Sequence, residues 1–330
     1  MPAHRFITRR TLVQRSLAGV AGLWLATHFP QAQANTAVRF ILPLSAGSGV
    51  DAIARSASQA LSEALGGKAV VVDNQPGAGG VIGTQGIVRA APDGATLGFV
   101  SNNHVIFPSV VKNLSFDPVA DITPISIVCT SPLLLVARAD FPANNLQELQ
   151  ALLKKSPDTY NFGSSGNGTI LHLAAEQFLQ LTGTQSTHVP YRGTGPLVAD
   201  MIGGQVDWGV IALPAIRGQL EAGRLKVLAS CTPEPIASFP NIPTAIQQGY
   251  PDYVVEGWVA VVGPKGLSQD TVDQMYTALK HAYQQPSVME AMDKQGNTVT
   301  LHPPAYTREY IASERQKYDV LAKNAGLTPQ

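Results

Sequence analysis

The sequence predicts an α/β protein of two lobes joined by crossing strands. Residues 38–101 read as a βαβαβ run, the pattern of a parallel sheet with helices on its faces. A second βα array begins near residue 131 and ends near 230. A long return segment, 253–324, then follows, as expected where a chain leaves one lobe, builds another and comes back. The expected lobes are 35–130 plus 231–330, and 131–230.

In the first array, Val38-Arg39-Phe40-Ile41-Leu42 is a β-rich run closed by Pro43. The small-residue loop 45–49 follows. Val50, Ile53, Ala54, Ala57, Leu61, Ala64 and Leu65 then recur at helical spacing, and Gly66-Gly67 ends that helix. Val70-Val71-Val72 is the next strand. A second glycine loop at 77–80 leads into a helical stretch at 81–90, and Thr96–Ser101 is a third strand.

In the second array, Leu133–Ala137 is a strand. Leu146–Lys154 is a helix with Asn144 or Asn145 as its N-cap. Tyr160-Asn161-Phe162 is a strand, followed by the loop 163–169. Leu171, Ala174, Ala175, Phe178 and Leu181 mark a helix stopped by Gly183. A strand at 188–191, a short helix at 196–202 and strands at 206–212 and 226–230 complete the array. The return segment holds a strand at 253–262 and helices near 268–284, 286–295 and 304–324.

Composition narrows the function. The chain has 330 residues, 45% hydrophobic and 14% charged, too apolar for disorder. Lys+Arg and Asp+Glu are 23 each, with no basic stripe, which argues against a nucleic-acid partner. Residues 1–34 carry Arg5, Arg9, Arg10 and Arg15 and no acid, then the apolar stretch 17–26 and Ala32-Gln33-Ala34. They read as an export signal, 1–34, with a periplasmic destination. Thr8–Gln14 resembles a twin-arginine signal, with Leu12 where Phe is common. The apolar stretch falls short of the roughly 20 residues that span a bilayer.

Enzyme motifs are incomplete. The 77–82 run puts Ile82 where a dinucleotide fingerprint needs a small residue. Gly163-Ser164-Ser165-Gly166 is one residue short of a nucleophile elbow. Neither Cys129 nor Cys231 sits in a zinc pattern. The two flank the expected crossings at 131 and 230, so a disulfide stays open beside the alternative of two buried thiols. No metal and no cofactor is implied. The pronounced features are three strand–loop–helix junctions rich in Gly and Ser, at 43–51, 163–169 and 190–196. A helix start leaves backbone N–H groups unpaired and carries partial positive charge, so such loops bind carboxylate or phosphate without an arginine.

Five motifs occur in order: Pro43–Arg55, Asn74–Gly83, Gly163–Thr169, His188–Gly193 and Gly204–Asp207, with Gly249 and Trp258 further on. Together they resemble the extracytoplasmic solute receptors of tripartite tricarboxylate transporters, the Bug receptors, over about 36–330. The resemblance implies a two-lobed periplasmic-binding-protein fold of Venus-flytrap, type II-like form, with crossing hinge strands. It implies capture of a small organic carboxylate for delivery to membrane permease subunits, without catalysis, by a monomer. It places Ser45, Ala46, Gly47, Ser48 and Asp51 on one side of the ligand. Ser164, Ser165, Asn167 and Thr169 stand on the other, with Asp207 and Trp258 also in matching motifs. Asp51 has helix capping as an equal alternative.

This sequence departs from the family pattern at Ser48, Val50 and Trp208. Asn102 and His104 follow the third strand, where a cleft is expected, and His104 is the candidate donor to a second carboxylate. Trp208 and His104 tilt the expected ligand towards an aromatic acid, with a dicarboxylate as the other class. Mono- and tricarboxylates and acidic amino acids stay open. Competing functions are a receptor that signals to a sensor protein, and an exported α/β hydrolase acting through Ser165.

Overall fold

The computed structural model describes residues 37–329, apart from 158 and 325, so the export-signal reading lies outside the described residues. The first array gives β1 (Val38–Leu42), α1 (Gly49–Ala64), β2 (Val70–Asn74), α2 (Val81–Val88), β3 (Thr96–Ser101) and α3 (Asn103–Val110). A 17-residue strand, β4 (Ile122–Arg138), leads into α4 (Leu146–Lys155), β5 (Asn161–Ser164), α5 (Ile170–Thr182), β6 (Thr187–Pro190) and α6 (Thr194–Ile202). Next come β7 (Trp208–Ala212), α7 (Leu213–Glu221) and β8 (Leu225–Ser230). The return segment holds β9 (Glu256–Pro264), α8 (Gln269–Tyr283), α9 (Pro286–Lys294), β10 (Thr298–His302) and α10 (Pro304–Asn324).

The strands run in the order β2-β1-β3-β9-β4-β7-β5-β6, with β8 and β10 also paired to β4. β1 is parallel to β2 and β3, and β5 is parallel to β6 and β7. β4 joins the two parallel groups. From Ile122 to Pro132 it pairs antiparallel with β9; from Leu133 to Ala137 it pairs with β7. This is the crossing strand. Its amino-terminal two-thirds escaped the sequence reading because Pro124 and Pro132 interrupt it. Pro124 sits at a register shift and Pro132 at the change of partner, the places where a sheet tolerates a missing N–H.

Three further elements were not read from sequence: α3, α7 and β10. α3 is eight residues with Val105, Ile106 and Pro108 inside, a poor helix former held by packing on α10. The caps are as their chemistry dictates. Asn145, of the two candidates, accepts from Glu148 N at 2.8 Å. Thr169 caps α5 and Ser268 caps α8.

Cys129 and Cys231 are both buried and free. Cys231 N donates to Leu133 O at 2.8 Å, and Leu133 lies four residues along β4 from Cys129. That separation is about 13 Å of strand, beyond the roughly 7 Å limit for bridging. Trp208 is fully buried against Phe162 and Phe178, with Nε1 donating to Ser186 Oγ at 3.1 Å. It is a core residue and not the cleft residue that the aromatic-ligand expectation required.

Candidate functional site

Helix starts converge at the centre of the molecule. Ser48 caps α1 through its Oγ, which accepts from Asp51 N at 3.3 Å. Beyond that cap, the backbone N–H groups of Gly49 and Val50 have no partner among the described residues. Leu171, in the first turn of α5, and Thr194, the first residue of α6, likewise present unpaired N–H groups. All four residues line one cavity. Four buried donors on residues that line one space, each at a positive helix end, make a candidate anion site.

The cavity offers about 60 Å³ of room for the centre of a water-sized sphere, several times the roughly 10–15 Å³ one water needs. Among the described residues no charged side chain and no histidine lines it. Its walls are apolar (Ile53, Leu133, Leu171, Val259) and hydroxylic (Ser101, Ser131, Ser165, Thr194). A larger groove of about 470 Å³ lies between α5 and α10 and contains none of the four donors.

The loops around the cavity brace one another. Asp51 is buried; its Oδ2 accepts from Gly47 N at 3.0 Å and its Oδ1 from Arg55 Nε at 2.8 Å. Asp51 therefore fixes the loop and uses the Gly47 N–H that the sequence assigned to the ligand. Ser45 packs against Gly193, whose φ of +121° suits glycine and where a Cβ would collide with the Ser45 side chain. Ala46 and Asn167 are exposed. Thr169 Oγ1 donates to Gly166 O at 2.8 Å, shaping the second loop.

Of the sequence-predicted residues, Ser48, Ser165, Asn102 and Trp258 line the cavity. Asn102 spends its amide on structure: Nδ2 donates to Glu256 O and Tyr318 Oη, and Oδ1 accepts from Trp258 N at 3.0 Å. The Trp258 indole N–H donates to Glu314 at 2.9 Å and its ring meets Tyr310 edge-on, so the indole is anchored towards α10. Ser164 is fully buried behind the loop, within 2.7 Å of His188 Nε2 and 3.0 Å of Gly166 O. His188 stacks on His172 at 3.9 Å; burial, then His172, lower its pKa to about 3. The histidine stands beside Ser164, and among the described residues none is bonded to Ser165, the serine named for a hydrolase.

Two predicted residues lie away from the cavity. His104 is buried, with Nε2 bonded to Pro118 O at 2.6 Å, and burial lowers its pKa to about 4. The α3 helix, invisible in the sequence, turns it into the interior. Asp207 accepts from Arg138 Nε at 3.0 Å and from Asn161 N at 2.9 Å. It precedes β7 at the end opposite Ala212, which lines the cavity, so about five residues or roughly 17 Å of strand separate the two.

The sequence reading passed over Asn103, between its two candidates. Asn103 Oδ1 accepts from Ile170 N at 2.8 Å and Nδ2 donates to Gly79 O at 3.3 Å. This one buried amide ties the β3–α3 junction to the start of α5 and to the glycine loop before α2. The signal available in sequence was only an asparagine at a strand's carboxyl end.

Known proteins resemble this chain over nearly its whole length. The family model described as tripartite tricarboxylate transporter family receptor matches residues 53–327. Protein BugT of Bordetella pertussis (strain Tohama I) is 32% identical, covering 94% of this chain and 94% of its own. The solved periplasmic binding protein BugD superposes with a TM-score of 0.85 at 30% identity, over 89% of this chain and 98% of that one. An R. palustris protein solved with adipate gives a TM-score of 0.86 at 27% identity, over 89% and 98%. The two-lobed α/β fold is thus that of the periplasmic binding proteins, and the chain belongs to the tripartite tricarboxylate transporter receptor family.

Proposed function

We propose that this protein is an exported solute-binding receptor that captures one small organic carboxylate and passes it to membrane permease subunits. The observation that carries the reading is the convergence of four unpaired, buried backbone N–H groups, Gly49, Val50, Leu171 and Thr194, on one cavity. Charge-assisted bonds to such donors are the strong class, and fixed dipoles satisfy an anion without a counter-charge. The role is binding, not turnover, and the working unit is a monomer. The lobes are 35–130 with 231–330, and 131–230. Support for that division comes from β4, whose partners change from β9 to β7 at Pro132 and Leu133. The adipate complex of a family relative supports the ligand class. Export follows from the signal-like residues 1–34, and among the described residues no helix is long and apolar enough to cross a membrane.

The test removes a donor and keeps the helix. Val50→Pro deletes the Val50 N–H in the first turn of α1, where proline is tolerated; α7 carries Pro214 at the same position. Loss of one bond to a charged group, about 1.5–3 kcal/mol, weakens carboxylate binding by roughly 10- to 150-fold in calorimetric titration. Unchanged affinity in a folded Val50→Pro protein refutes backbone capture. Uptake of labelled ligand by cells lacking this chain tests the delivery step.

A further inference from the structure

Carboxylate capture at the helix starts leaves the other end of the cavity to be explained, and the inference here rests on that reading. The far end is built by β4 and β9. Leu133 faces Ala212 across β4–β7, and Ala212 touches the start of α1, where a Cβ on Gly49 would lie 3.0 Å from its Cβ. Ser131 lies two residues back along β4, about 7 Å away, opposite Gly257. Both Ser131 and Gly257 line the cavity. Ser131 is 5% exposed, and its Oγ is buried with no partner. A buried hydroxyl left unpaired costs free energy unless a ligand meets it.

The surroundings of Ser131 decide what kind of group that is. Among the described residues no Lys, Arg or His lines the cavity. The Asn102 amide at this end is fully used. Behind the strands, on the α10 side, stand two acids. Glu314 accepts from Trp258 Nε1 and from Lys317 Nζ at 3.1 Å, which commits the nearby cation. Glu256 immediately precedes Gly257. A second carboxylate here would lose its hydration and meet hydroxyl groups alone, with two acids behind the strands and no free base. A neutral oxygen needs only the single donor or acceptor that Ser131 supplies.

We infer that the cleft selects a short monocarboxylate with one neutral hydrogen-bonding group at its far end, held by Ser131 across an apolar middle, and rejects the matching dicarboxylate. The selectivity is set by this one hydroxyl, not by Trp208 or His104.

The experiment is calorimetric titration of the mature protein at pH 7.5 with three matched pairs. These are 3-hydroxypropanoate and malonate, 4-hydroxybutyrate and succinate, and 5-hydroxypentanoate and glutarate, with butyrate as the tail-free control. At least one hydroxy acid is expected to bind tenfold or more tighter than its diacid. Ser131→Ala should erase that margin with butyrate bound no more weakly than by the wild type, and Ser131→Thr should restore it. Diacids binding as tightly as their hydroxy acids, or a margin that survives Ser131→Ala, overturns the inference and leaves carboxylate capture standing. Binding of none of the seven acids, with the wild-type melting curve unmoved by any of them, removes carboxylate capture itself.

Discussion

Replacing Asn103 by aspartate puts a fixed negative charge inside the candidate anion site. Asn103 lines the cavity, is buried, and accepts from Ile170 N at 2.8 Å at the start of α5. N103D keeps that acceptor and makes it anionic, where a helix start contributes about 0.3–1 kcal/mol. It loses the donor to Gly79 O, a long bond of 3.3 Å worth about 0.5–1.5 kcal/mol. The two changes offset, but the new carboxylate also loses its hydration in a cavity without a cation, so melting is expected to fall by several degrees. Binding behaves differently, because the cavity then holds its own anion. Two unit charges about 6–8 Å apart at an effective dielectric near 20 repel by about 2–3 kcal/mol. Carboxylate affinity should therefore fall by roughly 30- to 150-fold. Titration calorimetry of wild type, N103D and N103A measures it, with N103A, which frees Ile170 N–H and adds no charge, expected to lose less than tenfold. Added salt should not restore N103D, since a buried pair is poorly screened. Affinity of a folded N103D within threefold of wild type would refute the anion-site assignment.

Two other outcomes follow from buried groups. His104 titrates near 4 in the folded chain against about 6.5 when unfolded, because burial disfavours its charged form. The unfolded chain thus takes up the proton first, so this stability is complete above pH 6.5 and lost as pH falls towards 4. The loss is about 2 kcal/mol at pH 5; urea unfolding at pH 7.5 and 5 should show it, and His104→Gln should flatten the slope, while an unchanged slope refutes the role. Burial raises both cysteine thiols, Cys231 to about 12, and they are unpaired, so a thiol reagent should label neither in the native protein and both after unfolding, with no effect of reductant on melting.

Local chemistry was legible in the sequence. Alternating β-rich and helix-periodic segments gave the α/β class, and Asn145 caps α4 as one of the two asparagines the sequence offered; Ser48 and Thr169, read as ligand contacts, cap α1 and α5. The glycine- and serine-rich junctions at 43–51 and 190–196 hold Gly49, Val50 and Thr194, three of the four unpaired N–H groups at the cavity, since such groups follow from a helix start itself. What lay beyond local chemistry was set by packing between distant segments. β4 is one strand through two prolines because β9, β10, β7 and β8 supply its partners, none of them near it in sequence. α3 exists because α10 covers it, and its turn sends His104 inward while leaving Asn103 at the cavity. Trp208 fell to the core for the same reason: strand alternation allows either face, and only the sheet's neighbours decide which is buried. Residue type thus determined that unpaired N–H groups gather at these loops, whereas the tertiary structure decided which of three consecutive residues, 102, 103 or 104, reaches across to α5.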